Sequence, residues 1–447
     1  MKFALVASII LIGSIANSVV ARMAPPTVTQ IVAGDSHTCA LFSNRKVKCW
    51  GSGSYGQIGS GNYLSLGDAA GEMGDTLPYV NLGTGVMVDR LIGGDYMTCA
   101  ITSDAKMKCW GYGGSGGLLN GLNTTLGDNA NEMGDALPYS DLGTDKAIKQ
   151  ADGGYINYCA IFEDSKMKCW GYNYYGQLGL GDTLDRGATA ATVGTKLPYV
   201  DLGNVSKPMK VSAGRYHTCA LFENGKIKCW GYNGLGELGY GDTVTRGNLA
   251  NQMGNNLPFV DLGKDVMVTD VVAGELMTCV LIAGGKVKCW GNGSSGLGYG
   301  DTNNRGDNPN EMGDNLPFVD LGDGLPVTAI AIQLSSVCAT FLNGTIKCWG
   351  GNNFGTLGYG DTQPRGDNAG EMGESLEPVY LGRNAHVEGV VMGAFHGCAA
   401  ISQQAVFKGI KCWGYNNAGQ LGLEHLVNMG SASGQMNSLP FINLGNN

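Results

Sequence analysis

Residues 213–231 read Ala213-Gly214-Arg215-Tyr216-His217-Thr218-Cys219-Ala220-Leu221-Phe222-Glu223-Asn224-Gly225-Lys226-Ile227-Lys228-Cys229-Trp230-Gly231. Apolar and polar residues alternate on both sides of Glu223-Asn224-Gly225, which is the period of a strand. Gly225 is free to take a positive φ, so the turn joins His217–Glu223 to Lys226–Trp230 as a hairpin. Counting outward from that turn pairs Phe222 with Lys226 and sets Cys219 opposite Cys229. Two further extended segments come before it, Leu197–Gly203 and Met209–Ala213.

The unit recurs along the chain. Trp50, Trp110, Trp170, Trp230, Trp290, Trp349 and Trp413 each follow a cysteine and precede a glycine, at intervals of 60, 60, 60, 60, 59 and 64 residues. A fixed period of this size marks a repeat architecture. Each unit carries a Leu-Pro phrase, from Leu77-Pro78 to Leu439-Pro440, with a variant at Leu376-Glu377-Pro378. Four short extended segments in each of seven units predict an all-β, seven-bladed propeller of four-stranded blades spanning 22–447 as one domain. The competing open solenoid needs polar capping repeats, and none is visible. The first unit starts near Val28 without a Leu-Pro segment, and Leu439–Gly445 has no unit after it. The C-terminal strand is therefore expected to complete the blade of Trp50 and close the ring.

The phrases Ala213–Leu221 and Trp170-Gly171-Tyr172-Asn173-Tyr174-Tyr175-Gly176-Gln177-Leu178-Gly179 resemble the repeat of the regulator of chromosome condensation family. That resemblance implies a seven-bladed propeller whose blades share strands between the chain ends. It implies no single function, since members of the family include a nucleotide-exchange factor, an ultraviolet receptor and an enzyme inhibitor. The chain departs from intracellular members in its N-terminus, its cysteines and a longer loop before each Leu-Pro segment.

The fourteen cysteines fall two to a unit: Cys39 and Cys49, Cys99 and Cys109, Cys159 and Cys169, Cys219 and Cys229, Cys279 and Cys289, Cys338 and Cys348, Cys398 and Cys412. Opposed positions in a hairpin suit a bridge, so seven intrablade disulfides are expected in an oxidising compartment. The competing reading is fourteen buried thiols. Zinc fits poorly, because nine intervening residues lack the close ligand spacing of zinc sites.

Met1-Lys2, the apolar run Phe3–Ile15 and Val19-Val20-Ala21 read as a secretory signal peptide of residues 1–21, with Ala16 as a second cleavage point. The run falls short of the roughly 20 residues a spanning helix needs. A secreted protein with no membrane span is expected. Charged residues make up 15% of the 447 and the net charge is −9, which argues against nucleic acid as a partner. Asn123, Asn204, Asn292 and Asn343 head glycosylation sequons, which would make the chain a glycoprotein in a eukaryotic host.

No metal site and no catalytic residue stand out. His37, His217 and His396 occupy a position held elsewhere by Met97, Asn157, Met277 and Ser336, which favours a structural role. There is no helical H-E-x-x-H and no G-x-S-x-G elbow of the kind that turns a strand into a helix. Loops such as Asp301–Asp314 offer oxygens of the kind calcium takes. Arg305 can pair those carboxylates instead, and unit three replaces several acids with Ala188, Val193 and Thr195. No cofactor is expected. Tyr55, Tyr172, Tyr174, Tyr175, Tyr232, Phe354 and Tyr415 follow the tryptophans and are the candidate binding residues, set against a plainer role in packing between blades. The reading is a monomeric, secreted, non-enzymatic binding protein for an extracellular protein or glycan. Nucleotide exchange on a small GTPase and inhibition of an enzyme are the alternatives.

Overall fold

The computed structural model describes residues 26–204, 206–322 and 324–446; the expected leader, 1–21, lies outside them. Each of the seven units forms a three-stranded antiparallel sheet in chain order. In unit four the strands are Pro208–Ala213, His217–Phe222 and Ile227–Gly231. Among the described residues there is no α-helix, only short 3-10 turns, and no helix long and apolar enough to cross a membrane.

The hairpin register is the one counted from sequence. Cys219 faces Cys229, and Phe222 N donates to Lys226 O at 2.9 Å. All seven expected cysteine pairs are disulfides. Cys39 is bonded to Cys49, Cys99 to Cys109, Cys159 to Cys169 and Cys219 to Cys229. Cys279 is bonded to Cys289, Cys338 to Cys348 and, across the longest hairpin, Cys398 to Cys412. The Cα atoms of every pair are 4.1 Å apart, and no described cysteine is free, so the reading of buried thiols falls. Non-hydrogen-bonded pairs are the closer kind in an antiparallel ladder. In unit four the Cys229 main chain turns outward, where the Tyr240 hydroxyl accepts from its N–H at 3.1 Å and donates to its carbonyl at 3.0 Å. Tyr299 does the same for Cys289 in unit five, and Tyr359 for Cys348 in unit six.

The Leu-Pro segments are not fourth strands. Val200 N donates to Met167 O of its own hairpin at 2.9 Å. The next carbonyls turn the other way, into the following unit: Gly254 N donates to Asp201 O at 3.0 Å and Lys228 Nζ to Leu202 O at 3.0 Å. A segment that shares its groups between two units cannot run a ladder with either, so each is a strap. The last segment follows this rule. Ile442 N donates to Ile410 O in unit seven at 2.8 Å, while Asn443 O and Leu444 O accept from Gly74 N and Lys48 Nζ in unit one. Its main-chain partner strand therefore belongs to the blade of Trp413, not to that of Trp50.

The tryptophans bind neighbouring units together. All seven are fully buried. Each indole N–H donates to a carbonyl of the preceding unit, as Trp230 Nε1 does to Gln177 O at 3.0 Å. Trp50 does so to Gln420 O of unit seven, also at 3.0 Å. Three histidines repeat the pattern on the next unit's threonine: His37 with Thr98, His217 with Thr278, and His396 with Thr38. Their burial pushes the imidazoles down, His37 to about 3 and His217 and His396 to about 4.

Candidate binding face

Each first strand turns into its second through three residues, two in unit six, and these seven turns gather at one end of the sheets. Main-chain bonds link several of them in succession. Asp35 N donates to Asp95 O at 2.9 Å, Asp95 N to Gly154 O at 3.1 Å, and Arg215 N to Gly274 O at 3.1 Å. The approach is so close that a Cβ on Gly214 would lie 2.3 Å from Gly274 O, which is why this position is held by glycine in most units. First strands of all seven units line a cavity of about 250 Å³, with Val32, Gly93, Asp152, Ser212, Ile332 and Val390 in its wall. Asp152 is pushed up by burial and accepts from Ser212 Oγ and Ala213 N.

The axial turns carry a polar cluster. Gln333 Nε2 of unit six donates to Asp95 Oδ1 of unit two at 2.7 Å. Arg215 Nη1 lies 3.2 Å from Glu275 Oε1. Burial, and then the neighbouring Asp35 carboxylate, push Asp95 up to about 7.

Around this cluster runs a continuous arc of tyrosines. Ring contacts lead from Tyr112 through Tyr55, Tyr96, Tyr155 and Tyr216 to Tyr175 and Tyr232, with centroids 4.9–6.1 Å apart. Tyr174 packs edge-on against Tyr175 and stacks on Tyr172. On the far side Phe354 lies 4.2 Å from Tyr415 and 5.5 Å from Phe395. All seven aromatic residues singled out from sequence are thus on this face, in two groups. Tyr55, Tyr174 and Phe354 are exposed and the rest half-buried. Tyr96, Tyr155, Tyr216 and Phe395 were missed. The signal for them was their place directly after the turn glycine or one residue later, in a phrase read only as a strand start.

The acidic loops are closed on themselves. Arg305 pairs with Asp301 at 2.8 Å. Glu311 accepts from Gly306 N and Asn308 N. The pair Asp307 and Glu311 becomes Asn248 and Gln252 in unit four, where Gln252 Oε1 still accepts a main-chain N–H, from Leu249. A loop that keeps its form with amides is shaped by hydrogen bonds. Among the described residues no group of three or more His, Cys, Asp or Glu is placed to hold a metal ion. Asn123, Asn204 and Asn343 are exposed, and Asn292 is half-buried.

A seven-unit, disulfide-stapled all-β repeat protein with one aromatic face is the class these features define. Residues 28–57 and 210–237 match one profile of the regulator of chromosome condensation (RCC1) repeat, and 169–221 match a second. Those stretches carry the repeat of that family. It is similar to the ultraviolet-B receptor UVR8 of Arabidopsis thaliana, 28% identical over 280 residues, 62% of this chain and 56% of the receptor. It also resembles the probable E3 ubiquitin-protein ligase HERC6 of Homo sapiens, 29% identical over 274 residues, 61% of this chain and 24% of the ligase. The aligned part is therefore about half of the receptor and a quarter of the ligase. The fold is shared with human WBSCR16, at TM-score 0.63 and 17% identity over 85% of this chain and 87% of that one. Saccharomyces cerevisiae Prp20p, described with its binding to Gsp1p and histones, aligns at TM-score 0.62 and 17% identity over 85% and 83%.

Proposed function

We propose that residues 22–447 form a closed seven-bladed ring that works outside the cell as a non-enzymatic binding protein for a protein or glycan. The tyrosine arc carries this reading. It spreads aromatic rings over four consecutive units at one end of a stiff scaffold, and aromatic residues dominate the energetics of recognition surfaces. Tyr55 is 43% exposed and Tyr174 63%, more than packing between blades requires. Seven disulfides support an oxidising compartment, as does the leader read from sequence. The strap at 439–446, bonded to both unit seven and unit one, supports closure.

The test is capture of partners from extracellular fluid by the mature chain and by a double variant, Tyr55→Ala with Tyr174→Ala. A partner retained by the first and lost by the second, with melting temperature unchanged, supports the reading. Substrate turnover by the purified chain overturns it, as does acceleration of nucleotide release from a small GTPase.

A further inference from the structure

One half of the aromatic face already holds a cation. The Arg215 guanidinium lies over the Tyr155 ring at 4.5 Å and near Tyr216 at 5.4 Å, with the Glu275 carboxylate beside it. Tyrosine faces and a carboxylate together make a favourable seat for a positive charge. The other half has tyrosine rings and a carboxylate but no cation of its own. Asp35 stands where Arg215 stands in its own unit, half-buried and accepting from the Tyr96 hydroxyl. Tyr55 packs against both Tyr96 and Tyr112. Among the described residues Asp35 belongs to no ion pair, and Arg215 acts on it only at longer range. The axial cluster as a whole sets three carboxyl groups, Asp35, Asp95 and Glu275, against one guanidinium.

We propose that Asp35, Tyr55, Tyr96 and Tyr112 receive an arginine or lysine side chain from a protein partner, repeating on units one and two the arrangement Arg215 makes on units three to five. The proposal rests on the reading of this face as a binding surface and names the chemistry of what it binds. Charge complementarity decides for a basic peptide segment over a neutral glycan. A sugar would stack on the tyrosines but leave the Asp35 carboxylate without a charge partner, whereas a guanidinium answers both.

The full mature chain is titrated by calorimetry with a Gly/Arg heptapeptide and with its citrulline analogue, which keeps the shape and loses the charge. The arginine peptide is expected to bind, and the citrulline form to bind at least about tenfold more weakly. Asp35→Asn and Tyr55→Ala should each weaken the arginine peptide by about five- to tenfold. Glu223→Gln removes the same charge at the hairpin tip, at the other end of the sheet, and should change binding by less than about twofold. Melting curves show whether each variant is folded; if Asp35→Asn is not, the exposed Tyr55 decides. Equal loss in Glu223→Gln and Asp35→Asn would mean bulk attraction to an acidic protein and overturn the proposal. So would citrulline binding as well as arginine. If neither peptide binds but maltoheptaose does, and Tyr55→Ala abolishes it, the cation seat falls while the binding face stands. If a captured partner is insensitive to Tyr55→Ala, the binding face falls too.

Discussion

Lys228 reads in the sequence as the polar member of an alternating strand, yet it is 1% exposed. Its ammonium donates to Leu202 O at 3.0 Å and Gly254 O at 2.8 Å and lies over the Phe259 ring, with the Asp201 carboxylate acting on it without forming an ion pair. The equivalent lysines tie straps to units in the same way, for instance Lys108 on Leu82 O and Gly134 O. Lys228→Met keeps the apolar stem and leaves two buried carbonyls unpaired. It should cost about 2–4 kcal/mol, seen as a lowered thermal midpoint. His217 gives a pH signature. Its folded pKa, about 4, lies below the unfolded value, so its contribution is complete above pH 6.5 and is lost as pH falls toward 4. The stability advantage of the wild type over His217→Gln should shrink by about 1.4 kcal/mol per pH unit across that window, measured by urea unfolding at several pH values. An advantage that does not change with pH would mean the ring is already charged in the fold.

At the scale of the element, the hairpin was legible and the strap was not. Strand alternation and the turn Glu223-Asn224-Gly225 are local, so register and cysteine pairing follow by counting. The same count holds for Cys39 with Cys49 and for the other ten-residue separations, and the longer Cys398 to Cys412 hairpin keeps the pairing by taking up its extra residues beyond the bridge. Leu197–Gly203 looks equally extended in sequence. What makes it a strap is where its carbonyls go, and their partners Gly254 and Lys228 lie about a half-unit or more away in the next repeat. The candidate face was half legible for the same reason. Residues after each tryptophan announce an exposed loop, but Tyr96 and Tyr216 join the arc only because the turns converge on the axis. The hairpin staple itself can be tested with the double change Cys219→Ala and Cys229→Ala. The closed loop is short, so the expected loss is about 2–3 kcal/mol. The wild type, denatured but not reduced, should titrate no free thiol. Two or more thiols titrating there would contradict the pairing.

At the scale of the whole molecule, stability depends on junctions between units more than on any one sheet. Tryptophan, histidine and lysine each reach a neighbour, and these same contacts join unit seven to unit one. Deleting 439–447 removes only nine residues, of which the described ones, 439–446, all lie outside the strands. It takes Leu444 O from Lys48, Asn443 O from Gly74 and the Ile442 bond from unit seven. Calorimetry should show a single transition at a clearly lower temperature. An unchanged midpoint, or loss of unit seven alone as a separate early transition, would favour an open stack.

The strap at the C-terminus makes the bonds that Leu77–Gly83 and its counterparts make at the other junctions, and it brings the end of the chain beside the repeat in which the chain begins. The strap's own bonds do not distinguish that junction from the others. The order of the repeats along the gene is then one choice among several. A circular permutant that joins the present termini with a short linker and opens at the exposed loop tip Asn62-Tyr63-Leu64 should fold to the same seven sheets.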